Sequence, residues 1–272
     1  RRAWGAVSGG AEDAPMPDEE VVQVMDAKGF LSVFKERKPV MAMLHLKGET
    51  PDEVLERAKR ELDLYIEGGV DAVIVEDYFG TYGDMRRALE YIREAKSEIV
   101  YGVNCLNIDA MGFELAQEFG AAFVQLDSVV GHVKPRDEEA LEAFLDLYRG
   151  RYDGCVLGGV RFKYQPVLSD RTLEEDLAIA QGRCDALAVT QDATGQETSI
   201  DKIRSFRAGL GDFPLIVAAG VTPENARESL KIADGAVVGS YFKDTYHDDG
   251  EVSLDHVRAI MDAVRAVREE TA

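Results

Sequence analysis

The chain has 272 residues, 46% of them hydrophobic, and a formal net charge of −20 at pH 7. This length suits one large α/β barrel, and the excess of acid excludes binding of nucleic acid or of an anionic membrane surface by general attraction. Membrane insertion is not predicted either, because the sequence has no run of about 18 or more apolar residues. An anionic ligand would need a locally positive site, for which Lys47, Lys163 and Lys243 are candidates.

The three cysteines are odd in number, widely spaced and set in apolar contexts: Cys105, Cys155 and Cys184. This pattern predicts reduced, buried thiols and a cytoplasmic protein without disulfides. Arg1 and Arg2 are not followed by a hydrophobic segment, so a secretory signal is not expected.

Residues 1–20 are small, acidic and proline-containing, which predicts an irregular N-terminal segment; Met16 is a candidate natural start. Residues 21–272 are predicted to form a single domain. Its first stretch, 21–36, is amphipathic and predicts an extra N-terminal helix, or two short ones, covering the bottom of a barrel.

From residue 40 a strand–helix alternation begins and continues almost to the end of the chain. Short apolar runs predict strands buried on both faces, and the amphipathic stretches between them predict helices. The predicted strands are 40–46, 72–75, 99–105, 122–126, 155–160, 186–190, 215–219 and 236–238. The predicted helices are 51–68, 84–95, 110–119, 137–148, 173–180, 199–208, 223–233 and 254–267. Eight such units, without a G-x-G-x-x-G turn after the first strand, favour a closed (β/α)8 TIM barrel over an open doubly wound sheet.

The last two strands each end in glycine, at Gly220 and at Gly239. Backbone can approach a ligand closely at glycine, and a helix that begins after Thr222 favours an anion at its N-terminus. Phosphate-binding TIM barrels carry their site after strands seven and eight. The predicted phosphate-binding residues are Gly220, Val221, Thr222, Gly239, Ser240 and Lys243, with Thr194 and Gly195 as an extension. The alternative is that both glycines only cap strands.

Polar side chains follow each of the first six strands, where barrel enzymes bind their ligands. Glu76 is the predicted general acid or base, because burial at an apolar rim would raise its pKa. Asp127 is its candidate partner, sharing acid–base roles with it or joining it in binding Mg or Mn. No cofactor is required by this chemistry. The alternative for Glu76 is a structural ion pair with Lys47 or Lys163.

His45 ends the first strand and would move a proton near neutral pH, or only hydrogen-bond a neighbouring strand. Lys163 would neutralise an anion or form a Schiff base. His132 lies in a loop that would reach the mouth. The predicted catalytic residues are Glu76, Asp127, His45, Asn104 and Lys163.

Six segments together, in this order and spacing, resemble the BtpA family, which includes the SgcQ proteins. They are residues 38–46, 69–76, 102–109, 190–195, 219–225 and 234–239 with Lys243, and the resemblance covers about residues 38–267. It implies a TIM barrel in which His45, Glu76, Asn104 and Asp109 fall on the polar strand-end motifs. Founding members of the family are tied to photosystem I accumulation. SgcQ-like members occur with sugar-uptake genes, which implies a phosphorylated sugar or nucleoside-like substrate.

The sequence departs from the family pattern after the first, second and fifth strands, at residues 47–50, 76–80 and 161–163. It therefore resembles a divergent branch whose substrate need not be that of photosynthetic members. The predicted function is that of an enzyme acting on a phosphorylated sugar or nucleotide-like small molecule by isomerisation, lyase chemistry or glycosidic cleavage. The alternatives are a non-catalytic assembly factor and a ligand sensor without turnover. A homo-oligomer is an open expectation.

Overall fold

The computed structural model describes residues 29–106, 108–131 and 137–271. The expectations for residues 1–20, for the first part of the N-terminal helix and for His132 lie outside these residues. In the described parts of the chain, no helix is both long enough and apolar enough to cross a membrane.

Eight parallel strands close into a barrel in chain order, and the eighth pairs with the first. Nearly every strand residue is buried, because one face fills the barrel and the other packs under the helices. The strands are β1 Val40–Leu44, β2 Ala72–Glu76, β3 Val100–Asn104, β4 Phe123–Leu126, β5 Cys155–Gly159, β6 Ala186–Val189, β7 Leu215–Val217 and β8 Gly235–Val238. The predicted TIM barrel is confirmed.

A helix follows every strand and lies outside the barrel. The helices are α1 Pro51–Gly68, α2 Tyr82–Ala95, α3 Asp109–Phe119, α4 Glu138–Arg149, α5 Leu173–Gln181, α6 Ile200–Leu210, α7 Pro223–Ile232 and α8 Leu254–Glu270. Their starts follow local capping signals: Thr81, Thr172 and Thr222 each form a capping box with the third helical residue. The apolar face of α8 is buried on its own barrel beside α1 and α7, through Val257, Ile260 and Val264.

The bottom of the barrel is covered by a short 3-10 helix, Phe30–Val33, which is the described part of the predicted N-terminal helix. Phe30 is fully buried, and its ring lies 5.4 Å from that of Phe123 at the start of β4. Phe34 packs on both rings, at 5.4 Å and 6.2 Å between centroids. The segment therefore covers the end of the barrel opposite the carboxyl ends of the strands.

We expect Phe30→Ala to destabilise the protein by about 3–5 kcal/mol, because it leaves a cavity in the barrel floor. Leu31→Ala is the matched control, since Leu31 lies in the same turn but is 36% exposed. The control should change stability by no more than about 0.5 kcal/mol. Urea denaturation measures both variants. Equal effects would show that the turn does not pack as an integral part of the core.

Candidate functional site

The carboxyl ends of the strands surround one pocket, which encloses about 830 Å³ including its open mouth. Glu76 is the last residue of β2 and Asn104 the last of β3, and both are almost fully buried, as is His45 just beyond β1. The pocket is lined by His45, Glu76, Gln125 and Lys163. It is also lined by Gly195, Gly220, Val221, Thr222, Gly239 and Ser240. The structure thus brings most of the predicted acid–base residues and the predicted phosphate loops together.

Glu76 and His45 contact each other in their uncharged forms. The Oε2 atom of Glu76 lies 3.5 Å from Nε2 of His45. Burial raises the pKa of Glu76 to about 8, and the nearby charge of Lys163 opposes that rise. Burial, with the charge of Lys243 as the next cause, lowers the pKa of His45 to about 4. At neutral pH the pair is therefore a protonated carboxyl group beside a neutral imidazole.

A backbone carbonyl determines which nitrogen of His45 carries the proton. Nδ1 lies 3.3 Å from the carbonyl oxygen of Asp248, which can only accept a hydrogen bond. Nδ1 must therefore be the protonated nitrogen, and Nε2 faces Glu76 with a lone pair. The protonated carboxyl of Glu76 can donate toward that lone pair, so the two groups form a short path for a proton.

Asn104 holds Glu76 and Asp127 in place and separates them. Its Nδ2 atom donates to Oε1 of Glu76 at 3.1 Å and to Oδ1 of Asp127 at 3.3 Å. Gln125 also donates to Oδ1 of Asp127, at 3.3 Å. The carboxyl group of Asp127 therefore accepts two hydrogen bonds from neighbouring side chains, and Asp127 does not line the pocket.

This arrangement does not fit the divalent cation that the sequence left open. An N–H donor of Asn104 stands between the two carboxyl groups, at the position where a shared cation would need only acceptors. In the ranges 29–106, 108–131 and 137–271, no cluster of three or more His, Cys, Asp or Glu side chains could hold a metal ion.

Lys163 contributes a cation to the pocket. It is half-buried, and its amide donates to Oγ1 of Thr190 at 2.7 Å. Its amine forms no ion pair within 4.0 Å of a carboxylate among the described residues. Lys47 instead contacts Asp249, at 3.8 Å, so neither lysine forms the structural ion pair with Glu76 that was the alternative. The charge of Lys163 is therefore available to a ligand.

The loops after β7 and β8 form a surface lined by glycine and backbone. Gly220 has φ of +64°, and a Cβ atom there would lie 2.3 Å from Cα of Glu197, so only glycine fits. At Gly239 an added Cβ would make ordinary contacts, 3.4 Å from Met43 and 3.6 Å from His45. Gly239 is therefore a position where a larger side chain would occupy the pocket without disrupting the fold.

Thr222 and Ser240 have internal partners in this surface. The hydroxyl and amide of Thr222 both bond to Asn225, in the capping box that starts α7. The hydroxyl of Ser240 donates to Oδ1 of Asp248 at 2.5 Å. Thr222 therefore orients the start of α7. The hydroxyl of Ser240 could bind a ligand only if its hydrogen bond to Asp248 were broken.

Lys243 does not line the pocket, which corrects its assignment to the phosphate group. The 3-10 helix Ser240–Phe242 turns the chain outward, and the amine of Lys243 lies 3.1 Å from both carboxylate oxygens of Glu61 on α1. Arg57 joins the same carboxylate at 2.9 Å. Lys243 is 1% exposed and forms a buried ion pair between the barrel and its helices.

Three residues of the loop after β8 line the pocket and were missed by the sequence analysis: Tyr241, Tyr246 and Asp248. This loop crosses the mouth and is held down by Arg57, which donates to the carbonyl of Gly250 at 2.5 Å. The segment carries no motif or periodicity that would have identified these residues. Asp109, implied by the family resemblance, is the first residue of α3 and does not line the pocket.

Solved structures share this fold at low sequence identity. A native KDPGal structure superposes with a TM-score of 0.60 and 18% identity, over 85% of this chain and 96% of that chain. The thiamine phosphate pyrophosphorylase of Pyrococcus furiosus gives a TM-score of 0.56 and 16% identity, over 85% and 96%. The phosphoribosyl anthranilate isomerase of Thermus thermophilus gives 0.56 and 14%, over 84% and 99%. At these identities the likeness shows the fold alone.

Curated relatives align along nearly their whole length. The uncharacterized protein TK2179 of Thermococcus kodakarensis is 28% identical over 87% of this chain and 98% of its own. The photosystem I biogenesis protein BtpA of Synechocystis is 25% identical over 83% of this chain and 86% of its own. The sequence model of the BtpA family matches residues 36–266, which include every strand of the barrel. The chain therefore belongs to the BtpA family.

Proposed function

We propose that the protein is an enzyme that transfers protons on a phosphorylated sugar or nucleotide-like small molecule. The observation that carries this proposal is that a buried, protonated carboxyl group and a glycine-lined backbone surface share one pocket. The backbone at Gly220 and Gly239 would hold the phosphate, and Glu76 would act at the other part of the ligand. Phosphate binding after strands seven and eight is a recurring arrangement in this fold.

Glu76, His45 and Lys163 suit proton transfer at a ligand carbon beside a carbonyl group. The protonated carboxyl of Glu76 can donate to a substrate oxygen, and Nε2 of neutral His45 can accept a proton. The cation of Lys163 would stabilise the negative charge that develops on the carbonyl oxygen. Isomerisation and carbon–carbon cleavage both use these steps. Glycosidic cleavage is less well supported, because it uses two carboxyl groups that flank the bond and Asp127 does not line the pocket.

The proposal predicts that phosphorylated ligands stabilise the protein against heat. A ligand at about 100 times its dissociation constant adds about 2.7 kcal/mol to the free energy of unfolding. The screen measures melting temperature with inorganic phosphate, sugar phosphates and nucleoside monophosphates, with and without magnesium. Gly239→Asp should abolish the shift, by filling the surface and adding negative charge.

Gly83→Asp is the matched control, since it adds the same group at an exposed position in α2. It should retain the ligand-induced shift. If folded wild-type protein responds to none of these compounds, the enzyme proposal fails. An assembly role, of the kind named for the Synechocystis relative, then becomes the better explanation.

The protonated state of Glu76 predicts a specific dependence of stability on pH. Its pKa rises from 4.5 to about 8 on folding, so between these values the folded protein binds more protons than the unfolded chain. Its contribution to stability therefore decreases as pH rises, by up to about 1.4 kcal/mol per pH unit. Relative to wild type, Glu76→Gln should gain stability from pH 6.5 to 8 and show no further gain above about pH 8.5.

Denaturant titrations over this range report on Glu76 and not on His45. Folding lowers the pKa of His45 from 6.5 to about 4, so the contribution of His45 to stability rises with pH only below pH 6.5. The control Glu228→Gln removes a carboxyl group at an exposed position of α7, where a substitution usually changes stability by no more than about 0.5 kcal/mol. A constant difference between Glu76→Gln and wild type would show that Glu76 is ionised in the folded protein.

Asp248 places a carboxylate beside the surface proposed for the phosphate, through its contact with Ser240. Removing this negative charge should tighten binding of inorganic phosphate by about two- to fivefold. Calorimetric titration of Asp248→Asn measures the effect, and Asp249→Asn is the control in the same loop, where the side chain is 63% exposed. Unchanged or weaker binding in Asp248→Asn would show that the phosphate does not lie beside the Asp248 carboxylate.

A further inference from the structure

Gln125 is a buried polar side chain that the proton-transfer groups described above do not use. It lies within β4, is 5% exposed and lines the pocket. Its Nε2 atom donates to Asp127 at 3.3 Å. Its Oε1 atom is buried and accepts no hydrogen bond from any residue in the described parts of the chain. A buried acceptor without a donor costs stability, so its presence beside a pocket requires an explanation.

Asp127 determines which end of the Gln125 amide group is left without a partner among the described residues. Its Oδ1 atom accepts hydrogen bonds from both Asn104 and Gln125. If the amide of Gln125 were turned over, Oε1 would lie against Oδ1 of Asp127, and two acceptors would repel each other. The amide nitrogen is therefore held toward Asp127, and Oε1 is left as an acceptor directed away from it.

We infer that Gln125 is a substrate-recognition residue that accepts a hydrogen bond from a hydroxyl group on, or next to, the reacting carbon of the ligand. This inference rests on the proposed function and narrows its substrate class to phosphorylated compounds with a hydroxyl group beside a carbonyl group. The amide oxygen can only accept, so it selects a donor and not a carboxylate. Asn104 connects Glu76 with the carboxylate that orients Gln125, which places both residues at the same end of the pocket.

A site built to bond a hydroxyl group disfavours the analogue that lacks it, because its own polar atom then stays unpaired. The test compares dissociation constants of ribose 5-phosphate with those of its 2-deoxy and 1-deoxy analogues, measured by calorimetry. Glucose 6-phosphate with 2-deoxyglucose 6-phosphate completes the probe set. Wild-type protein should prefer at least one hydroxylated probe over its deoxy analogue by roughly three- to tenfold, the range of one neutral hydrogen bond.

Gln125→Met should reduce this preference to about one while leaving the affinity for inorganic phosphate unchanged. Gln117→Met is the matched control, since Gln117 also donates to a carboxylate, that of Asp153 at 3.1 Å, but on the outer surface of α3. A melting curve without ligand accompanies each variant, to show that it is folded.

The outcomes separate the two proposals. A preference that persists in Gln125→Met, together with a lowered melting temperature, overturns the role of Gln125 in recognition and shows that it only supports Asp127. Binding of phosphorylated probes with no preference in wild type also overturns it and leaves the proposed function intact. Binding of no phosphorylated probe by folded wild-type protein overturns both. If Gln125→Met does not fold, loss or retention of the preference in Gln125→Ala decides.

Discussion

Removal of the Glu76 carboxyl group from water is the constraint on which the candidate site depends. Glu76 ends a strand of fully buried apolar residues, and the barrel mouth closes around it to leave it 4% exposed. Burial penalises the charged form and raises the pKa to about 8, so the group remains a proton donor at neutral pH. A neutral Glu76 requires no counter-charge. For that reason His45 can stay uncharged beside it and Lys163 can stay unpaired among the described residues.

The second constraint is the balance of charge between the whole chain and the pocket. A chain with a net charge of −20 repels anions at long range, but charges on the outer helices are screened within about 8 Å at physiological salt. Inside the pocket the relevant groups are the backbone near Gly220 and Gly239 and the amine of Lys163. The negative charge of Asp248 opposes the binding of an anion by these groups. Anion binding in such a protein depends on which few groups line the cavity and not on net charge.

Membership of the BtpA family and likeness to solved barrels contribute different information. The BtpA family model matches residues 36–266 and so places the chain in its family, and the relatives at 25% and 28% identity cover 83% and 87% of the chain. The solved structures at 14–18% identity share only the arrangement of strands and helices. Since one barrel fold supports many chemistries, function depends on the pocket and on the pairing of Glu76 with His45.

Local patterns in the sequence determined the eight strand–helix units, and their predicted limits lie within three residues of those observed. Apolar runs, capping threonines and terminal glycines act over a few residues, so they can be recognised without the fold. The burial of Glu76 was also foreseeable, because the residue directly follows a strand that must lie inside a closed barrel. The strand ends therefore predicted which residues would meet at the mouth.

Only the tertiary structure decided how the longer loops and the side chains were used. Lys243 follows Ser240 closely in sequence, yet a turn directs it to Glu61, 182 residues earlier in the chain. Asp248 enters the pocket on a loop without a sequence signal, and Asp127 is held behind the wall by Asn104 and Gln125. These positions depend on contacts between residues that are distant in sequence. Such residues compete with one another for the same few hydrogen-bond and ion-pair partners. Local sequence determines where strands end, and packing determines which of the side chains there face the ligand.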